Sequence, residues 1–136
     1  MKPYQRSVHY YETDQMAIVH HSNYIRWFEE ARLDLMEQMG IHYAGLEADG
    51  ILIPVVDISC SYGQSVRYGD TVEIAVKLTA FNGVRMQFAY EVRFSDGRSA
   101  ATGSSTHCFL RGGRPVSLKK AHPALYETLY ACLTEE

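Results

Sequence analysis

Glu12, Asp14, His20, His21, Ser22 and Tyr24 crowd one short stretch of the chain, and each carries a group suited to acid–base or nucleophilic chemistry. A carboxylate is ionised at neutral pH, so Asp14 can attack an activated carbonyl or take a proton from water. Glu12 lies one alternation away on a predicted strand, points to the same face, and is a minor rival for that role. His20 and His21 are adjacent, a spacing that does not converge two rings on one metal, and no third ligand follows at motif spacing. They read as loop histidines, with no metal site. Ser22 has no acid–histidine pair placed to activate it, so Ser22 and Asn23 read as helix-capping residues.

A strand must deliver Asp14 and a helix must open just beyond it. Residues 5–11 (Gln-Arg-Ser-Val-His-Tyr-Tyr) suit the strand. Tyr24, Phe28, Ala31, Leu35 and Met39 step at helical spacing, and Gly40 stands where the helix would end, which predicts a helix over about 23–39 with that stripe buried. The second half of the chain changes to period two. Val72, Ile74, Val76 and Leu78 alternate with polar or small residues over 71–78, as do Val84, Met86, Phe88, Tyr90, Val92 and Phe94 over 84–94. Asn82-Gly83 joins these strands as a hairpin, and Asp96-Gly97 leads into a third strand over about 98–111. That strand is rich in small residues (Ala100 to Ser105), which let a helix lie close. Pro123 opens a closing helix carrying Leu125, Leu129 and Leu133. One long helix against a mainly antiparallel sheet is an α+β fold.

The length suits a single domain over residues 1–136. A net charge of −3 argues against a nucleic-acid platform, which needs a strongly basic face. Cys60, Cys108 and Cys132 are odd in number, far apart and without metal spacing, the pattern of a reduced, cytoplasmic protein. No signal peptide or membrane span is expected, since no apolar run is long enough.

The segment 10–32, with Asp14, a short loop, His20-His21-Ser22-Asn23-Tyr24 and then the helix, resembles the 4-hydroxybenzoyl-CoA thioesterase family of hotdog-fold proteins. Tyr68-Gly69-Asp70 also matches that family, as does Thr106-His107-Cys108-Phe109 followed by Gly113-Arg114-Pro115. The resemblance implies a hotdog fold, an antiparallel sheet wrapped around one long central helix, and hydrolysis of an acyl-CoA thioester to a free acid and CoA. It implies that Asp14 is the nucleophile or general base and that the His21 backbone N–H donates to the thioester oxygen. A helix start, with free N–H groups and partial positive charge, suits an oxyanion. The family commonly has glycine where this chain has Ala17, so the loop is expected to sit differently.

Asp14 is therefore the catalytic candidate, and His21 (backbone N–H), Tyr24 and Tyr62 are the substrate-binding candidates. No metal or organic cofactor is expected; CoA enters only as part of the substrate. Glu29, Glu30 and Arg32 read as a solvated helix face, and Arg67, Arg111, Arg114, Lys119 and Lys120 as ordinary surface charge. The competing functions are a dehydratase or hydratase acting on an acyl thioester, which needs an imidazole paired with a carboxylate, and a non-catalytic acyl-CoA binding protein. Hotdog proteins like these pair subunits into a continuous sheet, so a homodimer or homotetramer is expected. Residues 58–64, Tyr62 above all, are expected to wall the acyl group from the neighbouring subunit.

Overall fold

In the computed structural model, which describes residues 2–134, the first strand β1 spans Tyr4–Ser7, where a strand over 5–11 was expected. A single 3₁₀ turn at Tyr10–Glu12 breaks the alternation. Its cause is local hydrogen bonding: the His9 amide donates to Glu12 Oε1 at 2.8 Å, and the Glu12 amide donates to the His9 carbonyl at 2.9 Å. The turn takes Glu12 off the face it would share with Asp14 on a strand.

The remaining elements are α1 (Ser22–Gln38), α2 (Tyr43–Ala48), β2 (Ile51–Leu52), β3 (Val55–Tyr62), β4 (Thr71–Phe81), β5 (Arg85–Phe94), β6 (Ser99–Cys108), β7 (Leu110–Arg111), β8 (Arg114–Pro115), α3 (Leu118–Ala121) and α4 (Pro123–Thr134). Five strands form a sheet in the order β1-β4-β5-β6-β3, and β2-β7-β8 form a smaller one. β1 runs antiparallel to β4, with Tyr4 opposite Ile74 and Ser7 opposite Thr71. Between β4 and β5, the Asn82 side chain accepts the amides of Val84 and Arg85 at 2.9 and 2.8 Å. Gly83 there holds φ at +89°, the left-handed conformation that the Asn-Gly pair predicts. β3 alternates Val56, Ile58, Cys60 and Tyr62 with Asp57, Ser59 and Ser61, but was not expected as a strand.

The described residues organise into two units, each discontinuous in sequence. The first comprises the segment ending at Leu35, Ser59–Val76 and Tyr90–Gly103. Here Tyr24, Trp27, Phe28, Ala31 and Leu35 bury one face of α1. The Phe28 ring stacks on Tyr90 with centroids 4.5 Å apart. Gly103 makes this approach possible: a Cβ there would stand 2.5 Å from both the Phe28 ring and the Ser59 carbonyl oxygen. The helix lies close because β6 offers no side chain at that point. Arg32 departs from the solvated face expected of it, because it is buried and donates to the Tyr90 hydroxyl at 3.2 Å.

The second unit comprises Met36–Ile58, Lys77–Ala89 and the segment from Ser104 onward. Leu125 and Leu129 of α4 are buried, and Phe81 packs against Phe109 and Tyr126. The Thr106–Phe109 segment belongs to this core: His107 is buried, with Nε2 2.7 Å from Ser105 Oγ. Among the described residues, no helix is long and apolar enough to cross a membrane.

Candidate active site

Asp14 opens a tight hairpin. Thr13 bridges to Val19, the Asp14 amide donates to the Ile18 carbonyl at 2.9 Å, and the Ala17 amide returns to the Asp14 carbonyl at 3.0 Å. The Asp14 side chain helps hold this turn, since Oδ1 accepts the Met16 amide at 2.8 Å. Oδ2 has no partner among the described residues. Ala17 closes the turn at φ +62°, the one non-glycine residue at positive φ among those described. An alanine thus occupies a conformation that glycine adopts freely, at a cost of about 1 kcal/mol.

The loop then hands the chain to α1 through Glu12. The Glu12 carbonyl accepts the His20 amide at 2.8 Å and the Asn23 side-chain amide at 2.9 Å. Ser22 is the first helical residue and not the cap. Its amide donates to His20 Nδ1 at 3.2 Å, so the His20 ring satisfies that end of the helix. The His20 carbonyl turns into the helix to accept the Asn23 amide at 3.0 Å. A trans peptide points its N–H opposite its C=O, so the His21 N–H is directed away from the helix. It donates to no described residue.

Asp14, His21, Tyr24 and Tyr62 meet around a single cavity of about 170 Å³, whose other walls include Ile18 and Val19. All four sequence-derived site residues are therefore brought together, and within one chain. Tyr62 reaches the cavity of its own chain, where the sequence suggested a neighbouring subunit. Its hydroxyl donates to the His21 carbonyl at 3.1 Å, and its ring meets Tyr24 edge-on at 5.0 Å. Burial pushes the Tyr24 phenol up, with the Val66 backbone offsetting part of the effect. Burial likewise raises the Tyr62 phenol, aided by Cys60, and the Cys60 thiol. These groups are neutral at neutral pH, which leaves Asp14 as the one carboxylate on the cavity wall.

Glu12 is not a rival. It is buried, and its carboxylate accepts from both Arg6 amino groups, the His9 amide and the Trp27 indole. Sequence reading missed this cluster because Arg6 and Trp27 carry no motif. Arg111, Arg114, Lys119 and Lys120 line neither this cavity nor the larger one beside it. Among the described residues, no group of three or more His, Cys, Asp or Glu side chains is placed to hold a metal ion.

Known proteins resemble this chain in sequence and fold. A Bacillus subtilis (strain 168) protein named as a candidate acyl-CoA thioesterase, YneP, is 35% identical over 118 residues, covering 85% of this chain and 86% of its own. A 1,4-dihydroxy-2-naphthoyl-CoA hydrolase of Thermosynechococcus vestitus is 23% identical over 112 residues, covering 82% of this chain and 77% of its own. The crystal structure of a DHNA-CoA thioesterase from Staphylococcus aureus superposes with a TM-score of 0.91 at 30% identity, covering 96% of this chain and 89% of that one. The antiparallel sheet with its long helix is the hotdog fold, and the protein is an enzyme of the thioester-hydrolase class. The chain belongs to the thioesterase-like superfamily, whose family model matches residues 8–127.

Proposed function

We propose that the protein hydrolyses acyl-CoA thioesters, with Asp14 as nucleophile or general base and the His21 N–H as donor to the carbonyl oxygen. The observation that carries this reading is the cavity lined by both Asp14 and His21, the latter at the helix start with a backbone amide that donates to no described residue. An amide held rigidly by the Glu12 and Asn23 contacts needs no reorganisation as negative charge develops on the oxygen. The mechanism uses no metal or organic cofactor. The Asp14-to-Tyr24 pattern supports the narrower placement among 4-hydroxybenzoyl-CoA thioesterases, and two relatives named for a naphthoyl-CoA substrate support aryl thioesters among those tested. A dehydratase would need an imidazole working beside Asp14, whereas His20 is engaged with Ser22.

Thiol release is to be measured over acyl-CoA esters of graded chain length, aryl-CoA esters and carrier-protein thioesters. Free thiol from at least one CoA ester is expected. Retained binding without thiol release across the whole panel would make the protein a binder and not a hydrolase; an enoyl absorbance change without thiol would make it a dehydratase.

The working form is a homodimer, or a tetramer built from it. β3 is an outer strand of the sheet, its residues mostly exposed, with Val55 and Val56 each about half-exposed. An unpaired apolar edge invites pairing with another copy. β3 ends at Tyr62 on the Asp14 cavity, so a partner paired along it would lie beside the site. Light scattering at low micromolar concentration should find two copies or more, and a stable, active monomer would refute the assembly.

A further inference from the structure

Asp14 borders two cavities. The second is larger, about 530 Å³, and its walls include Tyr10, Thr13, Gln15, Arg67 and Tyr68. Asp14 is the one residue lining both. A thioester has two arms leaving its carbonyl carbon, so a carboxylate acting at that carbon stands where the arms diverge. On the proposed function, on which this inference rests, one cavity takes the acyl group and the other takes the CoA arm.

The linings assign them. The smaller cavity offers Ile18, Val19 and two neutral tyrosines; at about 170 Å³ it exceeds the roughly 150 Å³ that can house a benzene ring. It suits a compact acyl group. The larger cavity offers a cation. The Arg67 side chain is exposed and makes no ion pair or hydrogen bond with the described residues, while its backbone amide donates to Asp70 Oδ2 at 2.9 Å. Of the carboxylates on these segments, Asp14 and Asp70 each accept a backbone amide, from Met16 and from Arg67 itself, and Glu12 is buried against Arg6 and Trp27. Arg67 also bridges through its backbone to Ile18, which fixes its base against the Asp14 hairpin. Beside it, Tyr10 and Tyr68 are 76% and 62% exposed, with rings edge to face at 5.7 Å. Exposed aromatic walls around an uncommitted guanidinium suit a chain that ends in phosphate.

We propose that the larger cavity receives the phosphorylated pantetheine arm of CoA and that Arg67 is its phosphate contact. The test compares wild type with Arg67→Gln on two thioesters of the same acid, one of CoA and one of pantetheine, which lacks phosphate. The variant should raise KM for the CoA ester by about tenfold, the scale of a charge-assisted contact, with kcat unchanged and the pantetheine ester unaffected. A KM for the CoA ester equal to wild type, or an equal rise for both esters, would overturn the assignment. Calorimetry with free CoA and free pantetheine keeps the two readings separable. Wild type should prefer CoA and Arg67→Gln should lose that preference, whether or not either thioester turns over. A wild type without preference, or a variant that keeps it, refutes the phosphate contact; an absence of turnover counts against the hydrolase reading alone.

Discussion

Asp14→Asn is expected to lower kcat by about a hundredfold or more while KM and the melting temperature stay near wild type. An asparagine oxygen can still accept the Met16 amide that now bonds Asp14 Oδ1 at 2.8 Å, so the turn should persist. What disappears is the negative charge. An amide neither attacks a thioester nor accepts a proton at neutral pH, and the interaction lost belongs to the transition state, so the effect falls on kcat. His20→Ala is the internal control. Its ring satisfies the Ser22 amide and is absent from the cavity walls, so a loss of tenfold at most is expected. Steady-state kinetics on both variants decide the matter. Asp14→Asn near full speed beside a silent His20→Ala would reject the mechanism.

The long helix and the hairpins were legible because their signals are local. A stripe of Tyr24, Phe28, Ala31 and Leu35 has one burial solution, and Asn82-Gly83 has the backbone freedom that a tight turn requires. β3 was missed although its signal was present: Val56, Ile58, Cys60 and Tyr62 alternate with Asp57, Ser59 and Ser61, but the segment was weighed only as a wall for the acyl group. The site was legible in part. Asp14, His21, Tyr24 and Tyr62 were named as separate candidates, and the structure gathers them round one cavity. That Tyr62 lines the Asp14 cavity of its own chain was not foreseen, because sequence carries no distance between residues 41 positions apart. The helix cap was also misread. Ser22 has the right chemistry for a cap, but the His20 ring reaches the Ser22 amide first.

Glu12 shows how a residue beside the site can govern it without touching the substrate, and its removal carries the largest expected loss of stability. The side chain is 2% exposed and answers four donors: Arg6 Nη1 at 3.0 Å, Arg6 Nη2 at 2.9 Å, the His9 amide at 2.8 Å and Trp27 Nε1 at 2.9 Å. Arg6 is shared with Glu30, whose Oε1 accepts its Nε at 2.9 Å. Burial works against the Arg6 charge, yet the Glu30 and Glu12 carboxylates more than offset it and hold the guanidinium above its ordinary pKa. Glu12→Ala leaves the buried indole N–H without its acceptor and Arg6 with one carboxylate in place of two. Breaking a buried ion pair from one side destabilises by about 3–5 kcal/mol. Glu12→Gln keeps the shape and one acceptor oxygen but loses the charge, so it should fall between wild type and alanine. Urea denaturation should rank the three proteins in that order. Activity should fall with folding, because the Glu12 carbonyl positions His20 and Asn23 and, through them, the His21 amide. If Glu12→Ala unfolds within about 0.5 kcal/mol of wild type, the range of an ordinary surface substitution, the cluster does not anchor the loop.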